Sequence, residues 1–207
     1  WRRLLKEVMM NDNSELFQKG ENQGDLGLRR AIMYYLRQSR GVHVGTSQII
    51  IGAGIENLLF LLSLTLGKGR TMAMENPAYL NAYQTVRELG FQVLPVDMDE
   101  EGMRVSQLEQ SGADLAYVTP ARQYPTGVVL PIGRRSRLIK WAREKEERYI
   151  IEDDYDSEFR YYGKPIPALQ GIDESDKVIY MGTFSKAIAP AIRIGYMVLP
   201  KSLVPAY

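Results

Sequence analysis

The stretch Gln48-Ile49-Ile50-Ile51-Gly52-Ala53-Gly54-Ile55-Glu56-Asn57-Leu58-Leu59 runs from a short β-branched segment through a glycine turn into residues of helical pattern that continue to Leu66. Strand, turn and helix in that order form the building unit of a parallel sheet. Downstream the alternation repeats. Residues 71–74, 91–96, 115–118, 149–151, 177–181 and 194–199 read as strands, and residues 79–89, 105–110 and 134–145 as helices. Upstream, Trp1, Leu4, Leu5 and Val8 have helical spacing that the polar residues 11–13 end. Asp25 opens a second amphipathic helix with Leu28, Ala31, Ile32, Tyr35 and Leu36 on one face and Gly41 at its close. The expected fold class is α/β: three layers, α/β/α, around a mostly parallel sheet with helices on both faces.

Composition narrows the function. The 207 residues fit one large domain or two small ones, and they carry 26 Lys plus Arg against 25 Asp plus Glu, a net charge of +1. Such a balance argues against direct nucleic-acid binding by this segment, since neutralising phosphates calls for a basic excess. With no Cys and one His, disulfides, thiolate nucleophiles and multi-His metal sites are excluded, and no metal is expected. A reducing, cytoplasmic setting is compatible. The apolar run around Leu58 to Leu62 is broken by Ser63 and Thr65, well short of the ~20 residues of a membrane span. His43 falls in a loop and receives no role. The chain begins at Trp1 inside a helical pattern, which reads as an excerpt of a longer protein.

One motif invites a dinucleotide reading. Gly52-Ala53-Gly54 follows a strand, opens a helix and is followed by Glu75, about 20 residues on, where an acidic ribose ligand would fall. The third glycine position, however, holds Asn57. The narrower inference is physical: the turn aims free backbone N–H groups and a helix N-terminus at an anion, such as a phosphate.

Further features then converge on the same sheet edge. Tyr79, in Asn76-Pro77-Ala78-Tyr79, puts a ring at the start of a helix just after a strand. Glu152-Asp153-Asp154 follows the apolar 149–151, so three carboxylates collect at a strand end, where burial would be costly. Lys186, in Gly182-Thr183-Phe184-Ser185-Lys186, also follows a strand, and Arg193 lies seven residues beyond it. Pyridoxal 5'-phosphate needs such a set: a Lys for its aldehyde, an anion for its pyridinium nitrogen, an aromatic face for its ring, and amides with an Arg for its phosphate.

These motifs resemble a known family. Asn76-Pro77-Ala78-Tyr79, Tyr124-Pro125-Thr126-Gly127, Glu152-Asp153-Asp154-Tyr155, Thr183-Phe184-Ser185-Lys186 and Arg193-Ile194-Gly195 stand in the order and spacing of fold type I, class I/II aminotransferases. Within that group, Trp1-Arg2-Arg3-Leu4, the run from Thr119 to Gly127 and the run from Glu152 to Tyr161 look like the MocR type. Those are GntR-family transcriptional regulators in which an aminotransferase-like domain follows a winged helix-turn-helix.

The resemblance implies that Lys186 forms the internal aldimine, Asp153 pairs with the pyridine nitrogen and Tyr155 bonds the ring's phenolic oxygen. It implies that Tyr79 stacks on the ring, and that Gly54, Ile55 and Glu56, with Thr183 and Arg193, hold the phosphate. Asp154 remains a competitor for the nitrogen. It further implies that residues 1–207 are the large cofactor domain, with an N-terminal arm over 1–25, lacking the winged helix before it and the small domain after it. A homodimer and a small amino compound as effector or substrate are the implied partners, with DNA reached only through the missing N-terminal domain. Three positions depart from the aminotransferase pattern: Tyr124 replaces the usual Asn, Glu56 replaces an uncharged residue, and Lys19 replaces an aromatic. The first favours a regulatory, effector-sensing domain over the alternative of a catalytic amino acid aminotransferase. A nicotinamide-binding domain is the third reading.

Overall fold

The computed structural model describes residues 2–10, 19–156, 167–186 and 188–207. Trp1, residues 11–13 and the end of the acidic motif, 157–161, lie outside the described residues, as does the side chain of Leu5.

The elements follow the expected alternation: α1 (Arg2–Met10), α2 (Leu26–Arg40), β1 (Ile49–Gly52), α3 (Ile55–Leu66), β2 (Thr71–Asn76), α4 (Leu80–Glu88), β3 (Gln92–Asp99), β4 (Gly102–Met103), α5 (Val105–Gln110), β5 (Leu115–Val118), α6 (Ile132–Arg143), β6 (Tyr149–Asp154), β7 (Val178–Thr183) and β8 (Gly195–Val198). They form a sheet of order β1-β8-β7-β6-β5-β2-β3-β4. The centre, from β7 through β6, β5 and β2 to β3, is parallel. Strand β8 runs against both β7 and β1, and β4 runs against β3.

Period-two alternation sorts the strand side chains into two cores. Met72, Met74, Leu115, Tyr117, Ile151, Ile179, Met181 and Met197 face α3 and α4, whose Leu58, Leu59, Leu62, Ala82 and Val86 close that layer. Ala73, Ala116, Val118, Ile150 and Val178 face α5 and α6. Tyr180, Tyr196 and Val198 face α2 through Ile32 and Leu36. Helices therefore cover both faces, which is why these strands read as continuous apolar runs. Asp25 caps α2 by accepting from the Leu28 amide at 2.7 Å, and Gly41 closes it in a left-handed conformation, φ 68°.

Strands β2, β3 and β7 run two or three residues past their expected ends, and two further departures shape the sheet. Strand β4 was not expected; its two residues turn back onto β3 through the pair Met98 and Met103. Strand β6 extends three residues past Ile151, so Glu152, Asp153 and Asp154 belong to the sheet and are buried rather than capping its end. The reason is that partners meet each carboxylate. Glu152 accepts from the amides of Leu169 at 2.7 Å and Gln170 at 2.9 Å. Asp154 accepts from Arg40 Nε at 2.8 Å and from the Tyr180 hydroxyl at 2.5 Å. Asp153 accepts from the Tyr117 hydroxyl. Charge inside a sheet is tolerated when it is bonded in this way.

Candidate functional site

The C-terminal edge of the central parallel strands carries a cavity of about 330 Å³. Gly54, Ile55, Glu56, Tyr79, Asp153, Tyr155, Thr183, Lys186 and Arg193 all line it, so every candidate site residue comes together there. Thr119, Tyr124 and Ser185 complete the lining.

Each wall has a local cause. Gly54 precedes α3 with φ 95° and ψ 178°, a conformation open essentially to glycine alone, and with Ile55 and Glu56 of the first turn it lines the cavity. A Cβ built at Gly54 would stand 2.7 Å from Arg193 Nη2, so the guanidinium lies directly against this backbone. Arg193 is itself left-handed, φ 52°, and binds Glu56 Oε2 through Nη2 at 2.7 Å. Tyr79 sits at the start of α4. The loop after β5 is tied to it by Gln123, whose side-chain amide donates to the Pro77 carbonyl at 2.8 Å. That tie brings Tyr124 edge-on to Tyr79, ring centroids 5.3 Å apart, and Tyr124 stands edge-on to Tyr155 at 6.1 Å.

Lys186 leaves the end of β7 through a turn pinned by Thr183. The Thr183 hydroxyl oxygen accepts from the Ser185 amide at 3.1 Å, and the Thr183 hydroxyl donates to Ser185 Oγ at 2.9 Å. The Lys186 ammonium lies 4.4 Å from the centre of the Tyr155 ring and 3.8 Å from Asp156 Oδ2, which Arg122 also approaches at 3.9 Å.

Strand alternation separates the two adjacent aspartates. Asp153 shares a face with Ile151 and Tyr117 and looks into the cavity, whereas Asp154 looks into the opposite layer toward Arg40 and Tyr180. Burial, only partly offset by the Tyr117 hydrogen bond, pushes Asp153 up to about 7, and the charges of Asp154, Asp156 and Glu56 add to the rise. Among the described residues the nearby cations pair elsewhere: Arg40 with Asp154, Arg122 and Lys186 with Asp156, and Arg193 with Glu56. A buried carboxylate facing a cavity, with a phenol as its donor, is built to receive a cationic group.

Glu75 rules out the dinucleotide reading. It is 5% exposed and accepts from the Thr119 hydroxyl at 2.9 Å and the Thr119 amide at 3.2 Å, so it has no path to a ribose. Burial pushes it up to about 7, against the pull of those hydrogen bonds.

Sequence reasoning missed Thr119, Ser185, Asp156 and Tyr117. Thr119 and Ser185 carried a signal, since each follows a strand at the edge where the other site residues lie. Tyr117 carried a weaker one: a phenol inside the apolar run 115–118 needs a hydrogen-bond partner once buried.

The sequence matches the model of the family "Aminotransferase class I and II" over residues 1–207. The chain belongs to the aminotransferase class I and II family. It is 42% identical over 204 residues to the uncharacterized HTH-type transcriptional regulator YdeL of Bacillus subtilis, matching 99% of this chain and 44% of that protein. It is 36% identical over 208 residues to the probable rhizopine catabolism regulatory protein MocR of Rhizobium meliloti, matching 100% of this chain and 42% of that protein. This member of the aminotransferase family therefore spans less than half the length of these relatives. Its fold superposes on the Pyrococcus horikoshii kynurenine aminotransferase, solved in complex with PMP, with a TM-score of 0.89 and 31% identity over 99% of this chain and 52% of that one.

Proposed function

We propose that this chain is a pyridoxal 5'-phosphate-binding, aminotransferase-like domain that senses a small amino compound within a transcriptional regulator. The observation that carries the cofactor is Asp153: a buried carboxylate turned into a cavity whose other walls are a primary amine, an aromatic ring, an Arg and a helix N-terminus. The residues fit the group. Gly54, lacking a side chain, lets the Arg193 guanidinium lie against the start of α3, where a phosphate would be met by amides and a guanidinium together. When bound, the cofactor supplies an aldehyde that condenses with amines and a ring that draws electrons from the attached carbon.

The chain's own groups have separable tasks. Lys186 Nζ is the tethering amine, held in place by the Tyr155 ring and Asp156. Asp153 holds a proton on the ring nitrogen, and Tyr117 holds Asp153. Tyr155 donates to the ring's phenolic oxygen. Tyr79 packs on the ring face. Thr183, Arg193 and the first amides of α3, from Gly54 to Glu56, take the phosphate.

The HTH-type regulator YdeL and the regulatory protein MocR favour the regulatory role, in which the full protein is a cytoplasmic homodimer that reaches DNA through a part outside this chain. A second reading, a catalytic amino acid aminotransferase, draws on the superposition with kynurenine aminotransferase. Tyr124, standing where aminotransferases carry Asn, favours the first. Among the described residues no helix is long and apolar enough to cross a membrane.

Adding pyridoxal phosphate to the full-length protein should produce the visible band of a lysine-bound cofactor, and Lys186→Ala should abolish it. An unchanged spectrum in the parent would overturn the cofactor assignment. Steady turnover of an amino acid with a keto acid, at rates typical of enzymes, would select the second reading.

A further inference from the structure

Glu56 sits in the first turn of α3 and lines the same cavity wall as Arg193. Its Oε2 lies 2.7 Å from Arg193 Nη2, and both side chains are partly open, 37% and 54% exposed. A carboxylate here occupies both features that an incoming phosphate needs. It lies in the first turn of a helix, where negative charge is favoured, and it satisfies the guanidinium. The arrangement is held from the other side as well. Arg193 adopts a left-handed backbone that lays its guanidinium against the Gly54 backbone, at the same helix start that Glu56 occupies. The charge of Glu56 also reaches deeper, adding to the upward push on Asp153 and Tyr79 after the main effect of burial.

We propose that Glu56 is a built-in competitor for the cofactor's phosphate at Arg193, which keeps the ligand exchangeable instead of permanently seated. This rests on the cofactor reading above and adds a property to it: the phosphate must displace or share Arg193 with a carboxylate, a cost that the ring and the aldehyde do not meet. Occupancy of the site then follows the concentration of the phosphate ester around it, as suits a domain that reports on its ligand.

The test uses the full-length protein and its Glu56→Gln and Glu56→Ala variants, titrated separately with pyridoxal phosphate, with pyridoxal lacking the phosphate, and with inorganic phosphate. Removing one like charge a few ångströms from a phosphate predicts about ten-fold tighter binding of pyridoxal phosphate. Pyridoxal affinity should be unchanged, inorganic phosphate should bind more tightly, and loss of the bound ligand on dialysis should slow. If both variants bind pyridoxal phosphate no better than the parent, or gain equally on pyridoxal, the competition does not exist. If no protein develops the visible band, the cofactor reading has failed, and calorimetry with inorganic phosphate decides the competition alone. Tighter phosphate binding in Glu56→Gln sustains it, and equal binding overturns it.

Discussion

The Tyr117 hydroxyl donates its hydrogen to Asp153 Oδ2 across the paired strands β5 and β6. Both side chains are buried, at 2% and 3% exposure. Burial, with the adjacent Asp153 charge, pushes the Tyr117 phenol well above its ordinary value, so it keeps its proton and acts as a donor. Tyr117→Phe retains the ring and removes only that donor. Its expected effect is about ten-fold or more weaker binding of pyridoxal phosphate, the worth of a hydrogen bond to a charged acceptor. A cofactor titration followed by absorbance checks this, and parental affinity in the variant would reduce Tyr117 to core packing.

The two aspartates of β6 should fail in different ways. Asp154→Asn breaks a buried pair with Arg40, a change that costs about 3–5 kcal/mol in comparable sites, so urea unfolding should register it. Asp153→Asn should lower cofactor affinity and alter the bound spectrum more than Asp154→Asn does. The reverse ranking on the cofactor would assign the pyridine nitrogen to Asp154.

Stability should respond to pH through the same carboxylates. Asp153 and Glu75 are each pushed up to about 7, first of all by burial, and Glu152 is raised for the same reason. The folded chain thus holds protons that the unfolded chain releases near the ordinary carboxylate value. Between about 4 and 7 the native state binds more protons, and these groups lose stabilising effect as pH rises through that window. Asp153→Asn removes one of them. Measured without cofactor, its unfolding midpoint relative to the parent should climb from pH 4 to pH 7; a constant difference would contradict the buried-carboxylate account.

Gly54→Ala tests the phosphate wall. The backbone there, φ 95°, is one that a side chain enters only at a cost of about 1–3 kcal/mol, and the new Cβ would press on Arg193 Nη2. Weaker binding of both pyridoxal phosphate and inorganic phosphate is expected, with pyridoxal much less affected. Titration with all three ligands separates this from a general loss of fold.

The layers of the fold were legible because its central strands β5, β6, β7 and β8 are buried on both faces and begin as apolar runs, with helical patterns between the strands. Residues 105–110 and 115–118 are helix and strand with the same bounds in sequence and structure. The candidate site residues could be picked out because they cluster at strand ends and helix starts along one edge of the sheet. What could not be read was the company of the β6 carboxylates. Arg40 stands 114 residues from Asp154, and nothing near either residue announces the pairing. Without that partner the carboxylates look like a solvated strand end, and the strand appears three residues too short. Glu56 was legible as an unusual residue, but its grip on Arg193 depends on a left-handed turn at position 193 that the letters around Pro190 do not specify.

The alternation of β6 also makes a distinction between spelling and length. Ile151 and Asp153 look one way, Glu152 and Asp154 the other, and Arg40 waits on the far side. Exchanging one apolar residue for another in Tyr149–Asp154 leaves that assignment in place. Losing or gaining a single residue there inverts it, bringing Asp154 or Glu152 into the cavity and setting Asp153 against α2. The apolar positions of this segment thus tolerate exchange among apolar residues, whereas its two aspartates and its length are constrained together, a constraint that falls on the count of peptide units.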